Sequence, residues 1–468
     1  MRKSFLALAA IIAAAACTDA TSPETTAPLA TSVDTVATPT VSASIAAPLS
    51  LFTGYSSSQS QHWTHITTMM TDYYYSWTST ERAWAGAHYD NAMSGSGSAW
   101  RSANPTVNHL TYALLWTTIV GGTGSLATGY STDMTTWFRA HPQYSIEKAF
   151  VHRKGASFNS AGRVYYNHWG SNRWAINPAD PGAIAYTISR IQRLIATESG
   201  VFFDEASSGD MGAHLGLMQE FASASAYTAA IGKLLGALKS GVGSKRIMLN
   251  TAEYTTPLDS INAVRAGAVH LEMFNNFKYS GMIPRWQWIE RLASLGVFVD
   301  VVSTYSTQDM PSMATSYPRG NSATNVQRAK LWELASYYLA IPTSTSTKLV
   351  ALQLENQWSK AYSTIWTKAQ EANIGHPTGA RVQKYSGTDP LGNRYYVYTR
   401  DFERALVVLR LQQGWTTQTY TDGTAITVPL PSGESWIPLN ADGTVGTKMT
   451  SLRLRNSEAA IVLKGSRM

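Results

Sequence analysis

Cysteine is almost absent: Cys17 is the only one in 468 residues. A single thiol excludes an intramolecular disulfide. Charge is scarce too, with Asp, Glu, Lys and Arg making up 14% of the chain. The formal balance is +7, of which Arg2 and Lys3 supply two. The rest is scattered, with no run of five basic residues, so nucleic acid is not an expected partner. There is no HExxH, no P-loop, no GxSxG, and no GxGxxG after any strand candidate. His62 and His65 have the spacing of helix neighbours but lack a third ligand, so they read as a surface pair. No metal and no cofactor are expected. What is abundant is apolar and aromatic: 44% hydrophobic residues, with 15 Trp and 24 Tyr. Such a chain is globular and long enough for a large core plus a second, smaller domain.

Residues 1–16, MRKSFLALAAIIAAAA, are a targeting segment. Arg2 and Lys3 form a positive n-region, and Ser4–Ala16 is too short for a permanent span but fits a signal h-region. Ala14-Ala15-Ala16-Cys17 resembles a bacterial lipobox, with Ala14 where Leu is usual. The resemblance implies lipidation of Cys17; ordinary cleavage nearby is the other reading. Either way the chain is expected to be exported to the bacterial cell envelope, lipid-anchored or secreted, and to meet a membrane only through its anchor. Residues 17–55 are Thr, Ser, Ala and Pro almost without aromatics, and read as a disordered tether.

From residue 56 the texture changes. Strand candidates at 69–75, 107–119, 146–152, 163–169, 200–205, 245–250, 268–274, 297–303 and 347–356 alternate with amphipathic stretches. The clearest helix is DPGAIAYTISRIQRLIATESG, 180–200. Ile184, Ile188, Ile191 and Ile195 share one face, Asp180 caps it, Pro181 suits its first turn and Gly200 would end it. Helices are also expected over 221–241, 260–267, 285–296 and 325–341. Strands buried on both faces and followed by helices mean parallel βα units. About eight units over roughly 300 residues match an α/β fold of the (β/α)8 TIM barrel type, assigned to 56–390. A doubly wound sheet is the rival, without its glycine fingerprint. Residues 391–468 carry short strands separated by Asp422-Gly423, Ser432-Gly433 and Asp442-Gly443, which predict a small antiparallel β-sandwich.

GVFFDE, 200–205, then raises a question: why should a buried strand end on two acids? In a parallel barrel the active site lies at the C-terminal ends of the strands. Asp204 and Glu205 fall there, as do Glu272 in HLEMFNN, Asn250 in MLNTAEY with Glu253 just after, and Glu355. Carboxylates gathered at one mouth cost desolvation unless paired, solvated or used. Glycoside hydrolysis uses two: one ionised as nucleophile or base, one protonated to donate to the leaving oxygen. Neighbouring strand residues face opposite ways, so Asp204 and Glu205 do not form the pair. The expected pair is Asp204 as nucleophile or base and Glu272 as acid, with Glu253 and Glu205 as alternates.

Three stretches carry a resemblance: RSANPTVNHLTYALLW (101–116), NRWAINPADPGAIAYTISRIQRL (172–194) and GVFFDEAS (200–207). They resemble a family of bacterial glycoside hydrolases with (β/α)8 barrels, whose relatives are amylase-like and polygalactosaminidase-like. Trp174, Asn177 and Pro178 match its W-x-x-N/D-P element. Ser199–Asp204 match its D-G-V-F-x-D strand end, with Ser199 where Asp is common. The resemblance covers roughly residues 100–300 and implies a catalytic Asp at position 204. Glu272 has no comparable motif around it.

Candidate sugar-binding side chains are Asp72, Tyr74, Trp116, Asn167, His168, Trp174, Asn250, Asn275 and Tyr305. Aromatic faces suit pyranose C–H faces, and amides suit hydroxyls. The structural alternative is that aromatics pack in the core and that single Asn residues serve turns and caps. The expected function is a monomeric glycosidase of an oligo- or polysaccharide. A non-catalytic carbohydrate-binding envelope lipoprotein is the alternative, and a purely structural lipoprotein a third.

Overall fold

The computed structural model describes residues 68–70, 78–93, 97–115, 117–121, 125–168, 171–204, 206, 218–251, 257–271, 279–304, 323–343, 350–355, 367–413, 422–456 and 458–467. The signal segment, Cys17 and the tether lie outside these residues.

The chain enters at β1 (Thr68–Met70), then α1 (Ser79–His88), β2 (Asn91–Met93), α2 (Gly97–Ala103) and β3 (Asn108–Leu114). An excursion follows: β4 (Thr117–Gly121), α3 (Ser125–Ala140), β5 (Tyr165–His168) and β6 (Ser171–Ala175). The alternation resumes with α4 (Pro181–Leu194), β7 (Gly200–Asp204), α5 (Ala224–Val242), β8 (Arg246–Asn250), α6 (Pro257–Ala266) and β9 (Gly267–Leu271). It ends with α7 (Tyr279–Ser294), β10 (Phe298–Thr304), α8 (Ala323–Ala340) and β11 (Val350–Glu355).

Eight strands form one sheet in the order β1-β2-β3-β7-β8-β9-β10-β11, every pair parallel. β1 and β11, at its two edges, approach within 8 Å between Cα atoms. The sheet is therefore a (β/α)8 barrel, open in its hydrogen bonds along that one seam.

Strand alternation makes two cores. Val201, Phe203, Ile247 and Leu249 face outward against Ile191, Tyr227, Leu234 and Leu238 of the helix layer. Phe202, Met93, Leu110, Met248, Ala268 and Phe298 face inward and fill the barrel. Gly200 begins β7 rather than ending α4, which stops at Leu194. A Cβ there would lie 2.1 Å from the Arg246 carbonyl oxygen, so only glycine lets β7 start this close to β8. Asp180 does cap α4, accepting from the Ala183 amide at 2.9 Å.

Other sequence expectations change as well: the expected barrel strand 163–169 is β5 of a separate small sheet. The stretch 107–119 is two strands, because β3 joins the barrel while β4 pairs antiparallel with β6 in a separate three-stranded sheet β4-β6-β5. The stretch 146–152 is not a strand but a 3-10 turn at Glu147–Ala149, followed by isolated bridges from Phe150 and His152.

The C-terminal part holds β12 (Val382–Thr388), β13 (Arg394–Asp401), β14 (Ala405–Gln412), β15 (Ile426–Pro429), β16 (Trp436–Leu439), β17 (Ser451–Leu454) and β18 (Ala459–Lys464). A five-stranded antiparallel sheet, β12-β13-β14-β18-β16, faces the pair β15-β17 across Val397, Leu406, Val408, Val428, Leu452 and Val462. Its other face, with Tyr398, Val407, Leu409 and Ile461, packs on Trp286 of α7 and Trp332 and Tyr338 of α8. β14 is buried along its whole length because both its faces are covered.

Candidate active site

Asp204 shares its parity with Phe202, so it follows the inward side of β7 to the C-terminal mouth of the barrel. There it is half-buried. The strands on either side of β7 are β3 and β8, and each sends it a donor. The Tyr112 hydroxyl donates to Asp204 Oδ2 at 2.8 Å. The Asn250 side-chain amide donates to Oδ1 at 2.8 Å. Both carboxylate oxygens are thus held by neighbouring strands, and the ring of Tyr112 is itself packed against Phe202 at 6.1 Å. The Asn250 carbonyl accepts from the Ala206 amide at 3.0 Å, tying the residue two beyond Asp204 to β8.

The polar row continues across the next two strands. Asn250 is registered opposite His270, and His270 opposite Asp300. His270 Nδ1 and Asp300 Oδ2 lie 2.6 Å apart, with both side chains fully buried. The edge of the Phe202 ring meets the His270 ring at 5.1 Å. Arg246, on the same inward side of β8, lies over Phe298 at 4.3 Å and donates to Asn91 Oδ1 at 3.2 Å. Burial pulls the Arg246 guanidinium below its ordinary value, and the charge of Asp300 opposes that shift. Charged and polar groups therefore line the inward side of four consecutive strands, β7 to β10.

The opposite end of the barrel carries a different cluster. Glu198, just before β7, contacts Arg101 at 2.5 Å and His109 at 2.8 Å, and its carbonyl accepts from Lys245. Burial pushes the Glu198 carboxyl up, but Arg101 and His109 outweigh it and hold it below the ordinary carboxylate range. Barrel enzymes place their active sites at the other end, and a cluster at the N-terminal face reads as a stability feature.

Of the expected site residues, the structure brings Asp204 and Asn250 together. Trp174 lies on β6 in the excursion, half-buried, edge-on to Phe150 at 5.4 Å and under the Arg163 guanidinium at 4.4 Å. Asn167 and His168 lie on β5 of the same small sheet, registered opposite Asn172 and Ser171. Asp72, Tyr74, Trp116, Glu205, Glu253, Glu272, Asn275 and Tyr305 lie outside the described residues; Glu272 directly follows the last residue of β9. Tyr112, His270 and Asp300 are additions that sequence reasoning missed. The available signal was a polar residue at inward parity within an otherwise apolar strand, as in AVHL and VFVDVV. Among the described residues no group of three or more His, Cys, Asp or Glu could hold a metal, and no helix is long and apolar enough to cross a membrane.

No family model matches the chain, and no curated protein matches it. Solved structures do resemble it. An α-amylase of Anoxybacillus is 9% identical, over 86% of this chain and 98% of that one, with a TM-score of 0.46. A cycloisomaltooligosaccharide glucanotransferase of Paenibacillus sp., complexed with cycloisomaltoheptaose, is 9% identical over 86% and 85%, with a TM-score of 0.44. An α-amylase of Geobacillus thermoleovorans, complexed with acarbose, is 8% identical over 87% and 90%, with a TM-score of 0.44. The fold of this chain rests on its own sheet topology, a parallel eight-stranded barrel followed by an antiparallel β-domain, and the solved structures it resembles include glycoside hydrolases.

Proposed function

We propose that this chain is a glycoside hydrolase acting on an oligo- or polysaccharide, with Asp204 as nucleophile or base. The observation that carries the reading is the grip of Tyr112 and Asn250 on the two oxygens of Asp204 at the mouth of the barrel. An acid whose oxygens both accept bonds suits the acceptor role, since an ionised carboxylate has no proton to give. Held at fixed orientation, it either attacks the anomeric carbon or takes a proton from a water that attacks it.

Glu272 is the acid of this proposal, with Glu253 and Glu205 as alternates. Its proton goes to the glycosidic oxygen as the C–O bond breaks, so the leaving sugar departs as a neutral alcohol. In the nucleophile route, water then cleaves the glycosyl ester on Asp204, and the deprotonated acid residue takes the proton of that water. A carboxyl separation of about 5–5.5 Å would favour this route, and roughly 6.5–9.5 Å the direct one. Trp174, Asn167 and His168 are proposed sugar contacts on the excursion. Export, with lipid anchoring through Cys17, completes the proposal and places the enzyme at the cell envelope.

The test is a glycan-library hydrolysis screen on the full chain. Release of reducing ends from at least one glycan is expected. Binding of a glycan with no cleavage of any would replace the enzyme reading with the carbohydrate-binding one.

A further inference from the structure

The excursion after β3 and the connection after β7 both leave the barrel at the Asp204 end, and one buried histidine joins them. His152 is fully buried. Its Nδ1 lies 2.7 Å from Glu220 Oε1, and its Nε2 lies 2.8 Å from Glu147 Oε1. A neutral imidazole has one donor nitrogen and one acceptor nitrogen; only the imidazolium donates from both. With a carboxylate at each nitrogen, the imidazolium is the form that satisfies both contacts.

Arg163 completes a group of four polar side chains. Arg163 donates to Glu147 from Nε at 2.9 Å and from Nη2 at 2.5 Å, while its guanidinium lies 3.9 Å over the Phe150 ring. The bond from Arg163, assisted by that from His152 and opposed by burial, holds the Glu147 carboxyl below the ordinary carboxylate range. Two carboxyl groups thus face the Arg163 guanidinium and the His152 ring. Phe158 stacks on the His152 ring at 4.2 Å. The neighbouring Arg153 turns away, its guanidinium donating to the Ala161 carbonyl at 2.8 Å.

The backbone follows the same seam. The Gln219 amide donates to the His152 carbonyl at 2.8 Å, and the His152 amide to Glu220 Oε2 at 2.9 Å. Arg153 bridges Met218. The 218–220 segment is therefore stitched to 152–153, while the start of the same connection is stitched to β8 through Ala206 and Asn250.

We propose that His152, as an imidazolium locked between Glu147 and Glu220, is a positioning residue that clamps the connection following Asp204 onto the excursion following β3. The excursion is carried by the strand that supplies Tyr112, so the clamp ties together the two strands whose ends meet at Asp204. A neutral His152 would turn a nitrogen lone pair toward a carboxylate, and one arm of the clamp would be lost. The role in catalysis rests on the glycosidase reading; the clamp itself does not.

The test needs no substrate. The 15N spectrum of His152 in the full chain at pH 7, assigned by its loss in His152→Gln, is expected to show both ring nitrogens protonated. Amide hydrogen exchange in peptides covering 150–153 and 218–222 is expected to speed by at least 10-fold in His152→Gln, with the peptides of β3 and β7 unchanged. Glu220→Gln, which keeps the shape and removes one charge, is the second variant should the first fail to fold, and the same segments should respond. Once a cleaved glycan is known, either variant should lower kcat at least 10-fold. A ring with one unprotonated nitrogen, or unchanged exchange at both segments, overturns the clamp. An intact clamp in a chain that cleaves no glycan would instead count against the glycosidase reading alone.

Discussion

Tyr112 and Asp204 come from neighbouring parallel strands and meet at 2.8 Å, hydroxyl to carboxylate, where the barrel opens. Tyr112→Phe deletes that donor while the ring keeps its packing on Phe202. A hydrogen bond to a charged group contributes about 1.5–3 kcal/mol. Turnover on a cleaved glycan should therefore fall by roughly 10–100-fold, with the melting temperature little changed. Steady-state kinetics beside a thermal melt checks this; unchanged turnover would remove Tyr112 from the site.

The buried pair His270–Asp300 gives a stability prediction. Each single change, His270→Ala or Asp300→Ala, takes from the other residue its hydrogen bond inside the barrel. Breaking a buried pair in this way costs about 3–5 kcal/mol. The double change His270→Leu with Asp300→Leu removes both groups together and should destabilise less than either single change. Denaturant unfolding of the three variants measures the difference.

Glu198 predicts a direction with pH. Its carboxyl is held below the ordinary value of 4.5 by Arg101 and His109 against its burial. The folded state then binds its proton less readily than the unfolded chain does. The stability contributed by Glu198 is present above the unfolded value and is lost as pH falls through the lower folded one. Melting temperature plotted from pH 7 down to pH 3 should therefore drop more steeply for the wild-type chain than for Glu198→Gln. Parallel curves would contradict the assignment.

The chain's own pattern goes far toward this fold, and its gaps have physical causes. α4 is readable because its cap, first-turn proline and isoleucine face all agree. β7 and β8 are readable because both are short apolar runs ended by polar residues. β2 is three residues long, too short to show a period. β12 is exposed at nearly every position, so no alternation marks it. The stretch 146–152 has strand-like composition and a buried Ala149–His152, yet the backbone turns, because its partners are single bridges rather than a ladder. Asp204 stood out through its strand end. The Tyr112 bond, the His270–Asp300 pair and the His152–Glu220 arm of the clamp join residues 30 to 92 positions apart, and no local pattern records such meetings.

Arg400 ties the β-domain to the barrel. It donates to the carbonyls of Tyr338, at 3.0 Å, and Ile341, at 2.5 Å, at the end of α8, and to that of Gly379 at 3.0 Å. Burial lowers its guanidinium to about 10. With β14 covered on both faces as well, barrel and β-domain should unfold as one unit. Calorimetry is expected to show a single transition in the wild-type chain, and Arg400→Leu to lower it by leaving three carbonyls without their donor. Two separate wild-type transitions would refute the coupling.

The central claim is that Asp204 is the nucleophile or base of glycoside cleavage. Asp204→Asn keeps the size of the side chain and one acceptor oxygen but removes its charge. Turnover and affinity measured together, on whichever glycan the wild-type chain cleaves, test the claim most directly. A loss of turnover of about 10²–10⁴-fold with the glycan still bound is the predicted result; turnover within a few-fold of wild type would contradict it.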